Sequence, residues 1–334
     1  MQRRKYLNYI AYPVTGANRH RGFALVVVIV VLLLVSFLAS QLILQVRTEH
    51  QIAFNVKNRS KSHFLSEAGL NVALFRLMDS PEDVVLGDDT FLHGYSYTNY
   101  LNTGKFSYYV TNESGKIDLN KAPRRLLELF LEYQGLEVEQ IETIIDSLLD
   151  WQDADDLHRL NGAELETYQE LTDPYIPKNG SLDDPGDFFL IHGTSVLVGK
   201  FDPDEVFTIH NSSGKINFNS LTPAMLDFLV EGDFDRKQAY KEAQQLYITL
   251  NQAMARQILG DERYDEIKDF LSFSSNTAQS NQYYSIAAYG QAGVKPPENE
   301  DEEPPTVPGV KINVLIRLES SIRYQLLSWK EKYA

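Results

Sequence analysis

The sequence predicts an α+β protein in which a long N-terminal helix packs on a small antiparallel sheet and a large all-α insertion interrupts the sheet. Three observations carry this prediction. An uninterrupted apolar run lies near the N-terminus, strand-like segments lie in the two parts 81–120 and 281–334, and helical patterns fill residues 121–280 between them. Since strands of one sheet must meet in space, the helical part is interpreted as an inserted domain.

The first element is a membrane helix. Phe23 to Val46 contain no acidic or basic residue, and at about 1.5 Å per residue such a helix spans a hydrocarbon core of roughly 30 Å. The preceding residues 1–22 carry five basic and no acidic residues, which favours their retention in the cytoplasm. The apolar run exceeds the roughly 7 to 15 residues of a secretory signal, and no A-x-A-like site follows it. We therefore expect a single-pass anchor with a transmembrane part at residues 23–45.

The helix is expected to continue to residue 80. Apolar residues recur at helical spacing from Phe64 to Leu77, and Pro81 marks the stop. The 23–80 helix would hold about 55 residues and measure roughly 80 Å. A coiled-coil stalk is disfavoured because no heptad persists through residues 57–63.

The expected strands are rich in aromatic and β-branched residues. They are Phe91–Tyr100, Lys105–Thr111, Tyr283–Tyr289, Val310–Leu318 and Ile322–Ser328. Between two of them, Lys295–Pro308 is acidic and rich in proline, so we expect a mobile loop there.

The inserted domain contains an internal repeat. Ser114–Asn120 (SGKIDLN) matches Ser213–Asn219 (SGKINFN), and each copy precedes a proline that opens an apolar helix. Each copy predicts a turn, a short strand and an Asn-capped helix. Two duplicated helical subdomains would explain the repeat, and so would a helix-hairpin-helix unit that grips DNA through a hairpin at Gln134–Leu136. The glutamates around that hairpin oppose phosphate binding, which favours the first explanation.

An acidic cluster follows the first predicted helix pair and suggests a metal site. Its members are Asp153, Asp155, Asp156 and Glu164. Such carboxylates repel one another unless they are solvated or hold a cation, and calcium takes oxygen ligands of this kind. Asp153, Asp155 and Glu164 have the spacing of EF-hand positions 1, 3 and 12, but Leu157 and His158 occupy positions that need a ligand and a glycine. The sequence therefore predicts a calcium-ordered loop that is not an EF-hand, and the alternative is a solvated acidic helix end.

Composition excludes several classes of function. The chain has no cysteine, which removes thiol catalysis and disulfides. Beyond residue 22 there are 26 basic residues against 46 acids, a formal charge of −20, so nucleic acid is not an expected partner. No H-E-x-x-H pair, G-x-S-x-G elbow or phosphate-binding loop occurs, and we expect no enzymatic activity.

The N-terminus resembles a type IV prepilin signal. A basic leader ends in Gly22 and is followed at once by Phe23 and an apolar helix. The resemblance implies that a prepilin peptidase cleaves after Gly22 and methylates Phe23. Prepilins usually carry Glu at the fifth mature position, where this chain has Val27. That departure fits a minor pseudopilin that caps its filament.

A second resemblance covers nearly the whole chain. Residues 151–168 (WQDADDLHRLNGAELETY), residues 175–180 (YIPKNG) and the preceding GKIDLNKAP segment resemble the minor pseudopilin K family of type II secretion systems. The resemblance implies a pilin-like sheet, a position at the pseudopilus tip and a function in exporting folded proteins. It also implies calcium binding, an inner-membrane anchor with a periplasmic C-terminal part, and as partners the I and J minor pseudopilins and the inner-membrane secretion machinery. The alternatives are a type IV pilus tip pilin and a membrane-tethered DNA-uptake receptor.

Overall fold

The computed structural model describes residues 21–79, 94–211, 213–246, 249–274, 282–296, 307–320 and 323–333. The chain divides into two compact units, Met1–Asn58 and Arg59–Ala334. The leader residues 1–20 and most of the acidic 295–308 loop lie outside the described residues, as does the expected start of the first strand at residues 91–93.

The elements form an α+β fold of nine α-helices and nine strands within the described residues. In chain order they are α1 (Arg21–Met78), β1 (Tyr97–Leu101), β2 (Gly104–Asn112), β3 (Ile117–Asp118), α2 (Arg124–Tyr133), α3 (Val138–Gln152), α4 (Leu165–Gln169), α5 (Pro203–Val206), β4 (Phe207–Thr208), β5 (Ile216–Asn217), α6 (Pro223–Leu229), α7 (Phe234–Leu246), α8 (Gln252–Leu259), α9 (Asp261–Ile267), β6 (Leu271–Ser272), β7 (Gln282–Ala292), β8 (Val310–Ser320) and β9 (Arg323–Tyr333).

The first unit contains the apolar part of α1. An 18-residue window of this helix has a mean hydropathy of 3.1, and none of that window is buried. The helix is long and apolar enough to cross a membrane. It ends at Met78, three residues before Pro81, which cannot continue a helix.

In the second unit, the last turns of α1 pack on a five-stranded antiparallel sheet of order β1-β2-β7-β8-β9. Leu65, Leu70, Ala73 and Leu77 of the helix share one hydrophobic core with alternate residues of β2, β7 and β8. Contact with β7 is close, because a Cβ on Gly290 would lie 2.2 Å from the Ser62 carbonyl oxygen.

The residues between β2 and β7 build a separate hydrophobic core that runs from Ile117 to Leu271. Helices dominate this insertion. Two short parallel ladders also lie in it, β3 with β4 and β5 with β6. β3 and β5 are the short strands predicted in the two repeat copies, whereas their partners β4 and β6 were not predicted. The sequence of residues 239–259 has one helical pattern, but the structure divides it between α7 and α8. A new helix starts after Asn251, because the Asn251 side chain accepts hydrogen bonds from the amides of Ala253 and Met254.

The repeat has the same structure in both copies. Asn120 and Asn219 each make two hydrogen bonds to the backbone of one distant leucine. Asn120 binds the N–H and C=O of Leu182, at 2.9 and 3.1 Å, and Asn219 binds those of Leu250, at 2.6 and 3.0 Å. The predicted Asn caps are therefore wrong: Pro123 stands at the N-cap of α2 without a side-chain bond, and Thr222 caps α6. Each Asn clamps its own subdomain instead.

A polar seam joins the insertion to the sheet. Lys311 of β8 pairs with Glu205 at 2.8 Å, and Lys330 of β9 pairs with Asp204 at 2.8 Å. A second aspartate, at residue 184, lies 2.9 Å from the Lys330 Nζ, and Lys332 reaches Asp202 at 2.8 Å. Burial lowers the pKa of the Lys330 ammonium, but the hydrogen bonds to Asp204 and Asp184 raise it by more, so this pKa lies above its usual value.

Candidate metal centre

The predicted acidic loop connects helices α3 and α4. Helix α3 ends at Gln152, Asp153 follows as its extended C-cap, and Glu164 occupies the N-cap position of α4. Beneath the loop, the rings of Trp151 and Tyr168 meet edge to face with centroids 5.4 Å apart. This packing fixes the two helix ends that carry Asp153 and Glu164.

Arg159 and Asp150 give the loop its shape. Asp150 is fully buried, and its Oδ2 accepts the backbone N–H of Arg159 at 3.0 Å. The Arg159 guanidinium also binds Asp150 and donates to Asp153 Oδ2 at 2.7 Å. The hydrogen bonds that Arg159 donates to Asp153 and Asp150 raise the pKa of its guanidinium, so this cation is permanent. Gly162 is required here, because a Cβ would lie 1.8 Å from Asp150 Oδ2.

Three of the four predicted ligands come together. Asp153, Asp155 and Glu164 each place a carboxylate oxygen within 4.8 Å of the others. Asp156 is exposed and does not belong to this group.

The buried oxygens of this group lack partners. Asp153 Oδ1 and both Glu164 carboxylate oxygens are buried and accept no hydrogen bond from any described residue. Glu164 is only 7% exposed. Burial raises the pKa of its carboxyl group, and the negative charges of Asp150 and Asp153 add to the effect. Such oxygens are costly to bury unless a cation or proton satisfies them.

Asn179 is a further oxygen donor that the sequence analysis did not single out. Its Oδ1 is buried and has no hydrogen-bond partner in the described part of the chain. The backbone at Asn179 is left-handed, with φ of 48°, a conformation that asparagine tolerates. The next residue, Gly180, donates its N–H to the Trp151 carbonyl oxygen at 2.9 Å, which ties this segment to the end of α3. In the sequence, the Asn179-Gly180 pair, which is typical of turns, was the signal that could have pointed to this residue.

The donor set suits a hard divalent cation. Three carboxylates are ligands that calcium accepts, whereas zinc sites prefer histidine and cysteine. The orphaned oxygens of Asp153 and Glu164 show that the residues present fit such an ion.

The predicted processing residues lie at the start of α1. Gly22 is its second residue, Phe23 follows, and Val27 lies one helical turn further on. Phe23 and Val27 are exposed along the apolar part of the helix. They are far in sequence from the acidic loop.

Comparisons with known proteins agree on one family. A family model described as type II secretion system (T2SS), protein K, matches residues 103–198, which include β2, the first repeat and the acidic loop. Type II secretion system protein K of Klebsiella pneumoniae is 26% identical over 223 residues, covering 62% of this chain and 68% of that protein. The chain also resembles a solved structure, the GspK-GspI-GspJ complex from the enterotoxigenic Escherichia coli type 2 secretion system. That match has a TM-score of 0.50 and 17% identity, and covers 86% of this chain and 100% of the other.

Proposed function

We propose that this chain, which is similar to protein K of the type II secretion system, is the minor pseudopilin at the tip of the pseudopilus. There it nucleates or caps the filament that exports folded proteins across the outer membrane. Its role is structural rather than catalytic. The apolar part of α1 anchors the chain in the inner membrane, and the second unit lies in the periplasm.

Val27 is the observation that carries the tip position. The apolar run of α1 contains no acidic residue, although prepilins usually have Glu at this point. A carboxylate in hydrocarbon is costly and needs a partner, which in a filament is the N-terminal amine of a neighbouring subunit. A subunit at the tip has no such neighbour above it, so valine avoids an unpaired buried charge and packs well among apolar helices.

Processing at Gly22 belongs to the same proposal. The prepilin peptidase cleaves after Gly22 and methylates the amine of Phe23. A side chain next to the scissile bond blocks this step, so Gly22→Ala is expected to stay uncleaved. Mass spectrometry of the wild-type chain should show a mature N-terminus at methylated Phe23, and an intact Met1 would contradict the prepilin assignment.

The proposed partners are the I- and J-type minor pseudopilins. The solved structure that this chain resembles contains chains of these two types. Assembly also needs the prepilin peptidase and the inner-membrane secretion machinery. Nucleic acid has no role in this proposal, in keeping with the acidic composition.

Calcium is the proposed ligand of the metal centre. Asp153, Asp155 and Glu164 would hold the ion, and Asn179 offers a neutral oxygen on the neighbouring segment. Binding there would neutralise a cluster of charges and fix the loop between α3 and α4. The ion would thus stabilise the insertion rather than take part in a reaction.

Crosslinking tests the tip position. A photoreactive residue at Leu25, in the full chain and in assembled pseudopili, should capture subunits on one side only. The matched change Val27→Glu should leave assembly nearly intact, since the tip subunit does not use this position to join a subunit above it. Crosslinks to subunits on both sides, or many copies per filament, would refute a capping role.

A further inference from the structure

The last strand of the sheet, β9, has an open edge whose two halves differ. No described strand lies beyond β9 in the sheet order, so its outer backbone N–H and C=O groups have no strand partner among the described residues. Natural proteins usually shorten, charge or cover such an edge, because it is a template for pairing with another chain. An uncovered edge of 11 residues therefore calls for an explanation.

The C-terminal half of β9 is occupied within the chain. Lys330 and Lys332 pair with aspartates of the insertion. Glu331 lies 3.3 Å from the ring of His63, and the guanidinium of Arg59 lies over the Tyr333 ring. This half is held by the rest of the second unit.

The N-terminal half, Arg323–Trp329, is open. It contains no acidic residue, and Tyr324, Leu326, Leu327 and Trp329 are exposed, by 40%, 52%, 39% and 44%. The side chains of Tyr324 and Trp329 make no hydrogen bond, ion pair or ring contact with any described residue. We call Arg323–Trp329 the open half-edge.

The open half-edge continues the hydrophobic core outward. In the register of the sheet, Tyr324 lies opposite Leu318, Leu326 opposite Ile316 and Trp329 opposite Val314. Residues directly opposite on neighbouring strands share a face, and those three β8 residues are buried under α1. Tyr324, Leu326 and Trp329 therefore extend the apolar face of the sheet onto β9. Helix α1 covers this face over β8 but not over β9.

We propose that the open half-edge binds an extended segment of a partner pseudopilin, which pairs with the β9 backbone and covers Tyr324, Leu326 and Trp329. A row of unpaired backbone groups selects an extended peptide, and the apolar side chains of Tyr324, Leu326 and Trp329, the last two separated by a register shift at Leu327, select apolar residues on it. A lipid surface would satisfy the side chains but not the backbone. Seven residues at about 3.3 Å each give a contact roughly 23 Å long. This inference rests on the proposed function, which supplies the partner.

The test measures assembly of the full chain in detergent with the I- and J-type subunits. The double variant Leu326→Glu/Trp329→Glu should weaken binding at least about tenfold, since central aromatic and apolar anchors dominate interfaces. The matched control is Val138→Glu/Val198→Glu, two valines of the insertion that are at least as exposed. Both variants should melt like wild type, because the substituted side chains are exposed. In the wild-type complex, hydrogen exchange of amides in residues 323–329 should slow.

The outcomes separate the inference from the proposed function. If wild type binds and the Leu326→Glu/Trp329→Glu variant binds equally well with no added amide protection at the open half-edge, the inference is overturned while the proposed function stands. If wild type binds neither subunit, the proposed function fails. If wild type instead pairs with itself through this edge, and the double variant is monomeric, the partner assignment is overturned.

Discussion

Replacing Glu164 by Gln should change stability in opposite directions with and without calcium. Without the ion, the carboxylate is buried and its oxygens lack hydrogen-bond partners among the described residues, beside the negative charges of Asp150 and Asp153. A buried unsatisfied polar group costs on the order of 1–3 kcal/mol, and a neutral amide is cheaper to bury than a carboxylate. In EDTA, Glu164→Gln should therefore melt a few degrees above wild type, at about 2–4 °C per kcal/mol.

With calcium the order reverses. An ion present at about 100 times its dissociation constant stabilises the folded state by about 2.7 kcal/mol, which corresponds to roughly 5–10 °C at the same conversion. Wild type should gain this increment and the variant should lose most of it. Differential scanning fluorimetry with added calcium or EDTA measures both arms, and calorimetric titration gives the affinity. Glu166→Gln, an exposed carboxylate two residues away, is the matched control.

The pH dependence supplies an independent check. Burial raises the pKa of Glu164, so the folded metal-free protein binds more protons than the unfolded chain, and this group's contribution to stability rises as pH falls from 7 towards the raised pKa. In EDTA, the advantage of the variant over wild type should shrink on acidification. In calcium, acidification should instead weaken wild type, since protons compete with the ion. A variant that behaves like wild type in all four conditions would refute the metal assignment.

Three other substitutions test the architecture by chemical denaturation. Lys330→Met breaks two ion pairs of the polar seam and should lower the free energy of unfolding by about 1 kcal/mol. Arg256→Met breaks two more exposed ion pairs and should lower it by less than about 0.5 kcal/mol. Equal losses would show that the seam adds nothing to stability. Asn219→Ala removes both hydrogen bonds of a buried clamp and should cost about 2–4 kcal/mol, and a cost near zero would contradict the clamp. Gly162→Ala places a methyl group against a buried carboxylate and should destabilise by more than about 2 kcal/mol, while Gly180→Ala, with open space around its Cα, should change little.

Local patterns were sufficient to predict the elements of the fold. The apolar spacing from Phe64 to Leu77 predicted the helix that covers the sheet, and alternation in residues 310–318 predicted β8. Pro81 predicted the end of α1 within two residues. These signals depend on periodicity and on proline stereochemistry, which act over a few residues.

The parts that sequence missed depend on distant contacts. Asn120 and Asn219 were assigned as helix caps because asparagine is common there, yet their partners lie 62 and 31 residues away. Similarly, Asp156 follows Asp155 in sequence but does not belong to the group of three close carboxylates. No local pattern encodes which backbone a buried amide or guanidinium will meet.

The placement of the insertion between β2 and β7 imposes an order on folding. Gly104 pairs with Ala292 and Asn112 with Tyr284, so this ladder joins residues that are between 172 and 188 positions apart in sequence. The insertion closes its own core from residues that all precede β7, so this core can form before β7, β8 and β9 join the sheet. Long-range pairing is slow because chain entropy must be lost before any contact is gained. A prefolded insertion shortens that search, since it brings the end of β2 near the start of β7. The sheet that packs against α1 is complete only when the last 50 or so residues of the chain have joined it.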